Sequence, residues 1–131
     1  MKNKIGMSLI FATGLFATQI SNANTIAPSY LARQCMDMAS QLKKIAEMNR
    51  GSICSSDVEV ASMFVGAAGD QLYQGKNRLA LHSLIKSEHE LEEISHFRPY
   101  CARFSYEIRP YQLRVNGLIN EIERLTQIDS N

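Results

Sequence analysis

Leu31, Cys35, Met38, Leu42 and Ile45 step by four, three, four and three, which puts them on one face of a helix. Pro28 suits its first turn and Gly51 its C-terminal cap, so the pattern predicts a helix over about 28–50. Ser56-Asp57-Val58-Glu59 reads as a capping box, a hydroxyl with a Glu three residues on. A second helix over about 57–73 follows, with Ala61, Val65, Ala68 and Leu72 on its apolar stripe. Within it, Gly66-Ala67-Ala68-Gly69 is a patch of small residues that lets a neighbouring backbone come close.

Gln74-Gly75-Lys76-Asn77 has the composition of a turn. At 100° per residue the stripe before it and the stripe after it (Leu81, Leu84, Leu91) point roughly 150° apart. One straight helix cannot bury both, so a third helix over about 78–96 is expected. Pro99 fits the start of a fourth. There Cys101, Phe104, Ile108, Tyr111, Val115, Leu118, Ile122 and Leu125 alternate steps of three and four, a seam of period about 3.5. Pro110 lies inside the seam without shifting its phase, which predicts a kink near Tyr106 to Arg109 rather than a break. Residues 128–131 are expected to fray. Four helices on short loops predict an all-α, antiparallel, up-down four-helix bundle. The regular fourth seam also leaves room for a homodimer.

The first residues change where this bundle is expected to work. Met1-Lys2-Asn3-Lys4 is a positive start, Ile5 to Ile20 is mostly apolar and uncharged, and Ser21-Asn22-Ala23 is a small-residue cleavage site. That order is a secretory signal peptide, expected to be cleaved after Ala23. The apolar run is too short and diluted for a membrane span. One domain, Asn24 to Asn131, remains: 108 residues, or 131 less 23. Loss of Lys2 and Lys4 lowers Lys+Arg from 14 to 12 against 13 acids. The net charge of −1 selects no class of partner, and nucleic acid is not expected for an exported chain with so short a basic patch. The periplasm or the extracellular space is the expected location, where disulfides persist. In a bundle, Cys54 and Cys101 fall at one end and Cys35 at the other, on the core face. This favours Cys54–Cys101 with Cys35 free, whereas a three-helix arrangement would favour Cys35–Cys101.

Three constellations could carry chemistry. Arg98-Pro99-Tyr100-Cys101-Ala102-Arg103 and Arg109-Pro110-Tyr111-Gln112-Leu113-Arg114 repeat R-P-Y-x-x-R at an interval of eleven. Eleven residues are close to three helical turns, so Arg98 aligns with Arg109, Arg103 with Arg114, and Tyr106 lies between. Guanidiniums present a planar fork of donors suited to phosphate or sulfate. The plain alternative is a solvated face whose Arg side chains pair with Glu88, Glu90, Glu92 and Glu93 of the third helix. His82, His89 and His96 form a second constellation, a stripe with intervals of seven. Glu93 neighbours His89 and, in Glu93-Ile94-Ser95-His96, also His96; such a set would hold a transition metal only loosely. The third is the small patch at Gly66 to Gly69, a docking surface if the protein is an envelope-assembly subunit.

No G-x-S-x-G, H-E-x-x-H or Gly-rich phosphate loop is present, and no cofactor pattern. Cys35 sits on an apolar stripe, where thiols are usually inert. The sequence therefore predicts a non-enzymatic binding protein, recognising an anionic surface or a protein partner and effector-like if fully secreted. The alternatives are a weak metal carrier or sensor and a periplasmic inhibitor, immunity or assembly protein.

Overall fold

The computed structural model describes residues 27–130. The expected export segment and Asn131 lie outside the described residues. Among the described residues the regular structure is all helical: α1 (Pro28–Met48), α2 (Ser55–Tyr73), α3 (Asn77–Glu92) and α4 (Ala102–Ile128). A π-helical turn, Glu93–Phe97, extends α3, and a 3-10 turn, Pro99–Cys101, leads into α4. The four make a helical bundle. Each packs chiefly on its neighbours in chain order, while α1 meets α4 along only a narrow strip. No helix among the described residues is long and apolar enough to cross a membrane.

The apolar stripes form the core. Leu31, Cys35, Met38, Leu42 and Ile45 of α1 are buried, as are Ala61, Val65, Ala68 and Leu72 of α2. In α3 the buried line is Ala80, Ser83, Leu84, Ser87 and Leu91, with Leu81 only partly covered. Two serines on this line are satisfied across the helix pair: Ser87 Oγ donates to the Ala61 carbonyl at 3.0 Å, and Ser83 Oγ to Gln71 Oε1 at 2.8 Å. Buried hydroxyls placed this way cost little and fix the register of α2 on α3. The α4 seam is buried at Phe104, Ile108, Val115, Leu118 and Ile122 and half-buried at Tyr111 and Leu125. Most of the seam is thus used within the bundle.

Several helix ends differ from the sequence expectation. Ser56 does not cap α2. The helix begins at Ser55 after Cys54, with no side-chain cap. Ser55 and Ser56 instead donate backwards, to the carbonyls of Ser52 at 2.8 Å and Ile53 at 3.0 Å. Short hydroxyl side chains compete for nearby backbone groups, and here the preceding carbonyls win. Gly51 does not cap α1; Asn49 does, with its Nδ2 donating to the Ile45 carbonyl at 2.8 Å. The glycine that does need its freedom is Gly75, with φ 71°. Its N–H donates to the Leu72 carbonyl at 3.0 Å, and Lys76 N–H to that of Gln71 at 2.8 Å. This is the Schellman pattern, closing α2 and reversing the chain into α3.

α4 runs unbroken through Pro110. The amide bond that Pro110 cannot make would have reached the Tyr106 carbonyl. The loss falls on the solvent side, where Tyr106 and Pro110 are both exposed, so water can serve that carbonyl. α4 ends at Ile128, and in the turn that follows Asp129 and Ser130 donate to the carbonyls of Leu125 and Gln127, at 3.2 and 3.3 Å.

Cys54 and Cys101 are joined, with Cα atoms 5.9 Å apart, and Cys35 is free and buried. Beside the disulfide, Arg98 donates to Asp57 Oδ2. Both links tie the start of α2 to the entry of α4.

Candidate functional site

The repeated R-P-Y-x-x-R segments end in different surroundings. Arg98 lies in the turn before α4 and is committed to Asp57. Asp57 pushes the guanidinium pKa up, first through the hydrogen bond and then through its charge. Arg98 therefore leaves the predicted anion-binding set and acts as a clamp. Asp57 is the partner that the sequence reading missed, because the contact spans 41 residues and no local spacing marks it.

Arg103, Tyr106, Arg109 and Arg114 are all exposed on α4. None of the three arginines has an ion-pair partner among the described residues. The acids of α3 do not pair with them. Over residues 102–118 these arginines face a single acid, Glu107. Their arrangement follows from the helix: at about 100° per residue, Arg103 and Arg114 fall within about 20° of each other. Arg109 points roughly 120–140° away, and Tyr106 and Leu113 lie between the two sides. Tyr106 is 88% and Leu113 65% exposed. The outward face of α4 is thus an aromatic and an aliphatic side chain flanked on both sides by unpaired guanidiniums.

Arg109 also opens onto a cleft of about 310 Å³ between the π-helical turn and α4, lined by Ser95, His96, Ser105, Gln112, Leu113 and Asn116 besides Arg109 itself. Ser105, Arg109, Gln112 and Asn116 step by four, three and four. They form a polar stripe at helical spacing beside the apolar seam, a signal present in the sequence but masked by it. Ser95 Oγ donates to the Leu91 carbonyl at 2.8 Å and lies 3.3 Å from Gln112 Oε1.

The other two constellations do not assemble. Among the described residues no group of three or more His, Cys, Asp and Glu side chains is placed to hold a metal ion. Of the predicted set His82, His89, Glu93 and His96, His89 Nε2 and Glu93 Oε1 lie 3.9 Å apart. An interval of seven residues separates side chains by about 10 Å along a helix, too far to share one ion. In the small-residue patch Ala68 and Gly69 are buried and Gly66 and Ala67 half-buried. A Cβ on Gly69 would lie 2.7 Å from Met36 Sδ and 3.2 Å from the Ala32 carbonyl oxygen, and one on Gly66 3.6 Å from Ala39 Cβ. It is the seat of α1 on α2, not an external docking surface. Burial pushes the Cys35 thiol up to about 12, so it carries no thiolate at neutral pH.

No family profile, curated protein or solved structure matches this chain.

Proposed function

We propose that this is an exported, non-enzymatic binding protein that docks on an anionic, phosphate-bearing membrane or envelope surface through the outward face of α4. The observation that carries the reading is the pairing of exposed Tyr106 and Leu113 with Arg103, Arg109 and Arg114 around them, which have no ion-pair partner among the described residues. A lipid–water interface rewards this composition. Aromatic and aliphatic groups enter the boundary layer while basic groups meet phosphates. Each basic residue near an anionic surface contributes about 1 kcal/mol. The disulfide and the export segment read from the sequence agree with a site of action outside the cytoplasm.

Co-sedimentation with phosphatidylcholine vesicles, with and without phosphatidylglycerol, tests the reading at low and moderate salt. Binding is expected only to the anionic vesicles and to weaken as salt screens the charges. Changing Arg103, Arg109 and Arg114 together to Gln is expected to weaken it about 100-fold, the equivalent of three such contacts. Equal binding by wild type and variant, or none by either, contradicts the proposal.

A further inference from the structure

The cleft beside Arg109 differs from the rest of the α4 face. The Arg103 and Arg114 side offers two guanidiniums beside the carboxylate of Glu107. The cleft offers a guanidinium together with the carboxamides of Gln112 and Asn116, the hydroxyls of Ser95 and Ser105, and His96. Among the described residues no carboxylate lines it. We propose that this cleft takes a phosphorylated monosaccharide, with the phosphate on Arg109 and the sugar hydroxyls on Gln112 and Asn116. The inference rests on the reading of α4 as an anion-binding face. It narrows that reading from any phosphate-bearing surface to one whose phosphate is carried on a sugar.

The lining is chemically matched to such a ligand. Arg presents two parallel donors to a phosphate. A bare phosphate needs only donors, but sugar hydroxyls need donors and acceptors side by side, which a carboxamide supplies. The Gln112 carboxamide lines the cleft beside Ser95, its Oε1 3.3 Å from Ser95 Oγ, and brings a donor and an acceptor to the same wall. Ser105 Oγ spends its proton on the Ala102 carbonyl at 2.8 Å, so it faces a ligand as an acceptor. The π-helical turn brings Ser95 and His96 to this rim; such wide turns recur at functional sites. At about 310 Å³ the cleft is at the small end of ligand sites. It has room for one sugar ring and its phosphate, not for an extended chain. Exposed Leu113 on the rim gives the apolar face of a ring a surface to lie on.

The same chemistry occurs in a glycosylated or inositol-bearing lipid headgroup and in a free sugar phosphate, and the test separates them. Titrations of the purified protein with glucose 6-phosphate, glucose and inorganic phosphate are run beside vesicles carrying phosphatidylinositol 4-phosphate or phosphatidylglycerol at matched charge. Glucose 6-phosphate is expected to bind at least about tenfold tighter than inorganic phosphate, and glucose to bind weakest of the three. Changing Gln112 and Asn116 together to Ala is expected to erase that advantage while keeping phosphate binding. R109Q is expected to lose both ligands. R103Q with R114Q is expected to keep the advantage of glucose 6-phosphate over inorganic phosphate while weakening attachment to phosphatidylglycerol vesicles. A preference for phosphatidylinositol 4-phosphate vesicles assigns the ligand to a headgroup. Sugar-phosphate binding without that preference assigns it to a free sugar phosphate. No advantage of glucose 6-phosphate over inorganic phosphate, or an advantage that survives Q112A/N116A, overturns the inference. Attachment to phosphatidylglycerol vesicles in that case leaves the broader reading of α4 standing; failure to attach removes both.

Discussion

Where α1 crosses α2, small residues bring the backbones together and leave no space. Gly69 seats against Met36 and the Ala32 carbonyl, Gly66 against Ala39, and Cys35 is fully buried. Where the extension of α3 meets α4, the side chains are larger and polar, and a cleft of about 310 Å³ remains. Both contacts join consecutive helices of one small bundle, but they answer different demands. A contact made of Gly and Ala contributes close packing and excludes everything else. A contact edged with Arg, Gln, Asn and Ser gives up some of that packing and keeps hydrogen-bonding groups available to something outside the chain. Stability should therefore be concentrated in the first contact, and recognition in the second.

The largest expected effect comes from the link between the two regions. Cys54 and Cys101 are 47 residues apart, and removing a crosslink of that span costs about 4 kcal/mol in the chain-entropy account. Urea unfolding of C54S/C101S beside wild type checks this; a loss below about 1 kcal/mol would mean that packing alone holds α4 in place. Next in size is a pH effect from the α1–α2 side. Unfolded thiols ionise near 9.0, while the folded Cys35 keeps its proton to about 12. Above pH 9 the unfolded chain therefore binds fewer protons than the folded one, so stability falls as pH rises. The slope steepens through pH 9 towards about 1.4 kcal/mol per pH unit, a loss of about 2 kcal/mol between pH 8 and 10.5 that wild type shows and C35A lacks.

Single substitutions then set the two contacts against each other. G69A forces a Cβ against backbone as well as the Met36 tip and is expected to cost about 1–2 kcal/mol, net of its gain in helix propensity. N116A, on the cleft, is expected to change stability by less than about 0.5 kcal/mol. G66A has only ordinary contact with Ala39, and its lower unfolded-state entropy should stabilise by about 0.5 kcal/mol. Thermal unfolding of the three variants orders them. A neutral G69A beside a damaging N116A would invert the assignment of packing and recognition.

The bundle was legible because its information is periodic. Steps of three and four in the first, second and fourth segments placed the core, while in the third Leu84 and Leu91 are buried but Leu81 only partly; the end-to-end logic of an up-down bundle picked Cys54–Cys101. What stayed hidden was either non-local or masked. Asp57 meets Arg98 across 41 residues, and no spacing rule finds such a pair. The polar stripe of Ser105, Arg109, Gln112 and Asn116 has helical spacing too, yet it runs beside a longer apolar seam that absorbs the reading. The serines around Cys54 matched a capping box in sequence, but hydroxyls bond forward or backward with similar ease, and only the fold decides. The histidines were over-read for the opposite reason: an interval of seven aligns side chains around a helix axis while holding them about 10 Å apart along it.

The most direct test of the division between packing and recognition is a titration of the ¹⁵N-labelled protein with inositol hexakisphosphate at low salt, followed by amide chemical shifts. The account predicts saturable shifts at Arg103, Arg109, Gln112, Arg114 and Asn116, reversed by added salt, with Ala32, Cys35, Gly66 and Gly69 unmoved. Shifts centred on the α1–α2 contact, or no shifts at α4, would contradict it.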